Sequence, residues 1–183
     1  MHSDECIIVD DQDTITGHAS KYDSHSHPLY GYSPSEVDTD ADIRSGSVPG
    51  VKHGAQRKLG HELGIAPEQV PPSAMHYLTR LHYCAGDADG QGRPTGWGEH
   101  EMDYIIFLRA NVQLNVNPEE VMATRYVTPS ELAEMMDPGS GLRWSPWFRI
   151  IAREFLPRWW QNLDKACRGD PSMQDLANIH HLS

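Results

Sequence analysis

Val51-Lys52-His53-Gly54-Ala55-Gln56-Arg57-Lys58-Leu59-Gly60-His61-Glu62-Leu63-Gly64-Ile65 is the stretch on which the fold turns. Val51, Ala55, Leu59 and Leu63 recur every four residues, which predicts a helix over 51–63 with one narrow buried stripe. Gly64 follows as the stop, since glycine enters the left-handed conformation that ends a helix without a Cβ penalty. On spacing alone, Glu62 is either a solvated charge or a functional carboxylate.

Before this helix, Cys6-Ile7-Ile8-Val9 runs into Asp10-Asp11-Gln12-Asp13 and then Thr14-Ile15-Thr16-Gly17, two strands around a polar turn. Residues 20–49 carry almost no periodic hydrophobicity and read as irregular. After the helix, residues 75–83 alternate, which predicts a strand with Met75, Tyr77, Thr79, Leu81 and Tyr83 on one side. A Gly/Asp-rich loop is expected over 86–96, and a strand over 102–108 with Ile105-Ile106-Phe107-Leu108 covered on both faces. A weaker strand is expected over 122–127. Thr128-Pro129-Ser130-Glu131 has the form of a capping box with proline at the first helical position, so a short helix should follow. Ser145-Pro146-Trp147 starts another in the same way, with Phe148, Ile151, Phe155, Trp159 and Leu163 as its apolar face and Pro157 splitting it. Residues 166–183 read as a loose tail. No repeat or linker divides the chain, so 1–183 reads as one domain of the α/β (α+β) class.

The length of 183 residues suits one domain with a real core. A net charge of −11 argues against a nucleic-acid surface, which wants clustered Lys and Arg. An acidic protein that binds an anion must supply a metal ion and a few local bases. No run approaches the roughly 18 apolar residues of a membrane span. Cys6, Cys84 and Cys167 are scattered and odd in number, which points to a reducing compartment and a cytoplasmic protein.

Three windows carry chemistry. Arg57 to Ile65 is the first. The second is Trp97-Gly98-Glu99-His100-Glu101-Met102-Asp103-Tyr104, where Glu99 and Glu101 stand two apart on a strand and face one side, an arrangement that invites a metal. The third is His25-Ser26-His27-Pro28-Leu29, whose alternating histidines suit zinc or manganese. Each has a plain rival, as a solvated flank, an exposed strand end or a polar loop.

Taken together and in order, the windows resemble the type I isopentenyl-diphosphate isomerases of the Nudix superfamily. The resemblance runs through Gly17 to Tyr22, Ser26-His27-Pro28-Leu29-Tyr30, Ala-Gln-Arg-Lys-Leu with Glu-Leu-Gly-Ile, Tyr77 to Tyr83, the Trp97 to Tyr104 window, Ser145-Pro146-Trp147-Phe148 and Trp159 to Leu163. It implies a Nudix-like mixed sheet with flanking helices and a double-bond shift between isopentenyl and dimethylallyl diphosphate. By resemblance, Glu101 is the acid partner, Tyr83 a polar assistant and Trp147 the aromatic wall. Lys21 and Lys58 would meet the diphosphate, and Glu62 would hold the Mg2+ on it. His25, His27, Glu99 and Glu101 would hold a second divalent ion, Zn2+ or Mn2+. The partner implied is a small diphosphate substrate, and the expected state is a monomer.

The chain departs from the family at one place. The family carries a cysteine two residues before the His-Pro histidine, where this chain has His25. Several dozen family residues, with two sheet strands and a basic segment, have no counterpart between Tyr22 and Ser26. The sheet is therefore expected to be incomplete and isomerase activity impaired. The alternatives are a shortened paralogue acting as a binding or regulatory protein, and a Nudix pyrophosphohydrolase, against which a single Nudix carboxylate counts.

Overall fold

The computed structural model describes residues 5–20, 37–88 and 94–182, so Lys21, His25 and His27 lie outside the described residues. Two long strands, β3 (Met75–Ala88) and β4 (Pro94–Leu108), form the antiparallel ribbon on which the rest is built. A short C-terminal strand, β5 (Ile179–Leu182), pairs in parallel with β3 and completes a mixed sheet of order β4-β3-β5. β1 (Glu5–Val9) and β2 (Ile15–Ser20) make a separate antiparallel hairpin. The helices are α1 (Asp40–Ser45), α2 (Pro49–Leu63), α3 (Pro129–Met135), α4 (Pro146–Glu154), α5 (Leu156–Gln161) and α6 (Leu163–Ala166).

The ribbon is covered on both faces, as its apolar run requires. Ile105 and Phe107 pack with Leu78, Leu81, Ile151 and Trp159, so one face belongs to α4 and α5. Ile106 and Leu108 pack with Ala55, Leu59 and Leu63, which seats the expected stripe of α2 on the opposite face. Further along that second face, Met102 meets Ile7 and Val9 of the hairpin. We call these the helix face and the hairpin face. Burying a side chain such as Leu81, 1% exposed, contributes about 1.5–3 kcal/mol.

Helix ends follow the local chemistry. Thr128 caps α3, accepting from the Glu131 amide at 3.3 Å, while Glu131 accepts from the Thr128 amide at 2.7 Å. α4 and α5 divide next to Pro157, as its missing amide dictates. Ser145, by contrast, makes no side-chain cap. Gly64 ends α2 at φ +62, and its position is doubly restricted: an added Cβ would lie 2.0 Å from the Asn115 carbonyl oxygen.

Several expectations are corrected. The alternation over 75–83 does not keep one side, because the ladder shifts between Tyr77 and Thr79. Met75 and Tyr77 therefore serve the hairpin face, while Thr79, Leu81 and Tyr83 stand opposite Ile105, Asp103 and Glu101. The irregular stretch 20–49 contains α1, whose Thr39 and Asp42 cap each other reciprocally. Residues 122–127 form no strand. The preceding chain is spent on α2 instead, with the Asn115 and Asn117 amides donating to the Leu63 and Glu62 carbonyls, which a helix end leaves unsatisfied. The tail expected to be loose holds β5, anchored upstream by the Gln174 side-chain amide on the Tyr77 carbonyl at 2.7 Å and the Asp175 amide on the Leu78 carbonyl at 2.7 Å.

Candidate active site

Tyr83 and Glu101 are register partners across β3 and β4, so their side chains rise side by side from the helix face. Tyr83 is 1% exposed and Glu101 is half-buried. Asp103 extends the same row. Ala85 pairs with Glu99 through the backbone, two register pairs further along the ladder. A carboxyl and a phenol are thus brought together on a water-poor surface, the setting in which proton transfer is strongest.

Trp147 lies in the first turn of α4, on the helix that covers this face through Ile151. Its ring is 36% exposed and meets Phe148 edge-on with centroids 5.6 Å apart, while Phe148 stacks on Trp144 at 5.2 Å. A supported aromatic face with an open side can receive a cationic carbon. Lys58 and Glu62 form an ion pair at 2.9 Å on α2, both about two-fifths exposed. Because α2 covers the hairpin face, this pair and the Tyr83–Glu101 pair lie on opposite sides of the sheet. A ligand touching both must pass over the β4 rim, where the sheet order puts an edge.

Among the described residues, no group of three His, Cys, Asp or Glu side chains converges to hold a metal ion. Glu62 supplies one carboxylate, already engaged by Lys58, which fits an ion carried in by phosphate oxygens and not a closed protein cage. Of the cysteines, Cys84 is exposed and points to the hairpin face, away from Tyr83, as the alternation requires, and Cys167 is half-buried near the end of α6.

The hairpin face carries polar structure that periodicity did not reveal. Arg80, whose side chain is 10% exposed, pairs at 2.9 Å with Asp13, 4% exposed, at the β1–β2 turn. Tyr104 donates its hydroxyl to the same carboxylate, and its ring lies 5.5 Å from that of Tyr77. Burial pushes both phenols well above the usual tyrosine range, so both stay protonated. Next to this network, His82 contacts His181 at 2.7 Å and His100 at 2.8 Å. The only sequence signal for either group is that Arg80, His82 and Tyr104 fall on the alternate side from Leu81 and Tyr83.

Comparison with known proteins gives this geometry its class. A NUDIX domain matches residues 49–148, the span from α2 through the ribbon to the start of α4, so this is a Nudix-domain protein. The isopentenyl-diphosphate delta-isomerase of Gibberella zeae is 50% identical over 139 residues, covering 76% of this chain and 50% of that protein. The one from Schizosaccharomyces pombe is 46% identical over 123 residues, covering 67% of this chain and 50% of that protein. Isopentenyl-diphosphate Delta-isomerase II of Clarkia breweri is 33% identical over 233 residues, covering all of this chain and 76% of the plant protein. The chain belongs to the isopentenyl-diphosphate delta-isomerase family. It spans about half the length of the two fungal relatives. The plant alignment runs over 233 positions against 183 residues here, so about fifty of them have no residue in this chain.

Proposed function

We propose that the helix face of the β3–β4 ribbon is built for the interconversion of isopentenyl and dimethylallyl diphosphate, and that this chain performs it poorly. The observation that carries the reading is the cross-strand pairing of Tyr83 with Glu101 on the face whose core residues Leu78 and Leu81 pack with Ile151 of the helix that bears Trp147. The reaction adds a proton to the terminal methylene carbon and removes one from the carbon next to the diphosphate-bearing methylene. Between the two steps, positive charge gathers on the tertiary carbon. Glu101 serves as the proton-transfer acid on one side, with the Tyr83 hydroxyl beside it. The Trp147 ring stabilises the cationic carbon, and the buried surroundings of Tyr83 exclude water that would trap it. Lys58 and Lys21 meet the diphosphate.

Divalent metal belongs to the reading. Glu62 would share Mg2+ with the diphosphate oxygens, and Glu101, Glu99, His25 and His27 would hold Zn2+ or Mn2+. When bound, such ions neutralise the phosphate charge and fix the carboxylates. The chain acts as a monomer in the cytoplasm. No helix among the described residues is long and apolar enough to cross a membrane.

The opposing proton partner is the weak point. Cys84, next to Tyr83 on β3, turns away from it by the strand's alternation, and about fifty positions of the plant relative have no residue here. A lost proton-transfer partner costs on the order of 10²- to 10⁴-fold in rate. That deficit also favours a second reading, a shortened paralogue that binds without turnover. Purified chain assayed with Mg2+ and Zn2+ or Mn2+ should give dimethylallyl diphosphate at or near background. A chain with the plant segment inserted between Tyr22 and Ser26 should gain on the order of 10²-fold or more. Ordinary turnover by the chain as it stands would mean that the second proton partner is present. No gain on insertion would favour the binding reading.

A further inference from the structure

The β1–β2 hairpin, α1 and the start of α2 surround a cavity of about 400 Å³, its open mouth included. The wall is apolar: Ile7 and Val9 from β1 and Ile43 from α1 are buried, and Val51 from α2 is half-buried. Ile15 and Val37 also line it and are 44% and 47% exposed, so they mark its mouth. Tyr104 of β4 completes the lining, which puts the cavity on the hairpin face, across the sheet from Tyr83 and Glu101.

The charged lining is of one sign. Asp13, Asp38 and Asp40 contribute to it, and among the described residues no Lys, Arg or His does. Asp38 is turned to the first amides of α2, accepting from Gly50 at 2.8 Å and from Val51 at 2.9 Å. Asp40 lies at the surface, 3.5 Å from Arg44, in a pair that solvent screens. Asp13 differs, because its side chain is only 4% exposed and half of it is unused. The Arg80 guanidinium and the Tyr104 hydroxyl both bond to Oδ2. Oδ1 has no hydrogen-bond partner among the described residues and keeps its full acceptor capacity. Asp13 lines the cavity, so a donor held there can reach that oxygen.

We propose that this cavity binds a small aliphatic ammonium ion, with its head on Asp13 Oδ1 and its chain along Ile7, Val9, Ile43 and Val51. Water alone would meet the carboxylate oxygen but leave the apolar wall wet, whereas an alkyl chain takes that wall out of water. A neutral alcohol would do both and forgo the charge-assisted bond. An anion would meet three carboxylates and no base. Arg80 does not bar the cation, since its guanidinium is held at the other oxygen, and Asp38 adds a second negative charge to the lining. Lys52 of α2 is directed to the Gly46 carbonyl at 3.5 Å. The site is independent of the diphosphate reaction, which belongs to the helix face.

Titration of the full chain with n-pentylammonium, followed by amide chemical shifts in NMR, tests the site. The shifts should gather at Asp13, Ile15, Ile43 and Val51, with a dissociation constant on the order of 1 mM, as suits so small a ligand. Pentanol should bind roughly tenfold more weakly, and pentanoate should not bind. Nα-acetyl-lysine methylamide, which carries the same head group on a peptide, should also bind more weakly, since its backbone does not fit the cavity. Ile15→Lys sets a tethered ammonium at the exposed mouth and should weaken pentylammonium roughly tenfold. Arg80→Met combined with Asp13→Asn replaces the carboxylate by an amide without stranding the cation, and should weaken it as much. Where the double variant does not fold, Ile15→Lys decides. Equal binding of pentanol, shifts gathered elsewhere, tighter binding of the lysine derivative, or undiminished binding in Ile15→Lys would overturn the proposal.

Discussion

Where α4 and α5 cover the β3–β4 ribbon, Leu78, Leu81, Ile105 and Phe107 meet Ile151 and Trp159. Where the β1–β2 hairpin covers it, Arg80 and Tyr104 meet the carboxylate of Asp13. The first contact is apolar and tolerant of small shifts, because burial is non-directional. The second is a buried ion pair, whose geometry is fixed by its hydrogen bonds and whose parts depend on each other. The proposed chemistry sits on the first face, at the end where the apolar core gives way to Tyr83 and Glu101. The second face instead fixes the hairpin, and with it the backbone leading toward Lys21. The ribbon thus separates the groups that would handle protons in the proposed reaction from the groups that hold the architecture.

The contrast can be broken most sharply at Arg80. Arg80→Met leaves the Asp13 carboxylate buried without its cation and should cost about 3–5 kcal/mol in urea unfolding. Adding Asp13→Asn removes the stranded charge, still accepts from Tyr104 and tolerates the φ of +67, so most of the loss should return. Additive losses in the double variant would mean that the network is not one unit. The smallest effect belongs to the exposed Lys58–Glu62 pair. Lys58→Ala should change stability by less than about 0.5 kcal/mol, since solvent screens the pair, yet it should weaken diphosphate binding measured by calorimetry. A large stability loss with unchanged binding would make Lys58 structural only.

Much of this architecture was legible in the residues. The four-residue spacing of Val51, Ala55, Leu59 and Leu63, the box at Thr128 and the break at Pro157 are local signals, and local physics delivered them. The failures share a cause. The shift at Leu78 moves Met75 and Tyr77 to the opposite face from Thr79, and no composition marks it, since a bulge is set by what each side must cover. Residues 122–127 have strand-like composition but pair with no strand among the described residues, while Ile179-His180-His181-Leu182 is too short to announce itself and forms against the edge that β3 offers. The Asp13 network was hidden for a related reason: it joins residues 67 and 91 positions apart. For the site, alternation sufficed to turn Cys84 away from Tyr83, because a strand's period is strict, whereas the pairing of Tyr83 with Glu101 is a register between two strands that alternation within either one does not set.

The central claim is that a divalent ion binds beside Glu101, on the Tyr83 side of the sheet. Crystals of the chain grown with Mn2+ and a non-reacting diphosphate, measured for anomalous scattering at the manganese edge, address it directly. We predict a peak within about 2.0–2.3 Å of a Glu101 carboxylate oxygen, on the Tyr83 side of the ribbon. Manganese found only on other surfaces, with Glu101 uncoordinated, would contradict the account.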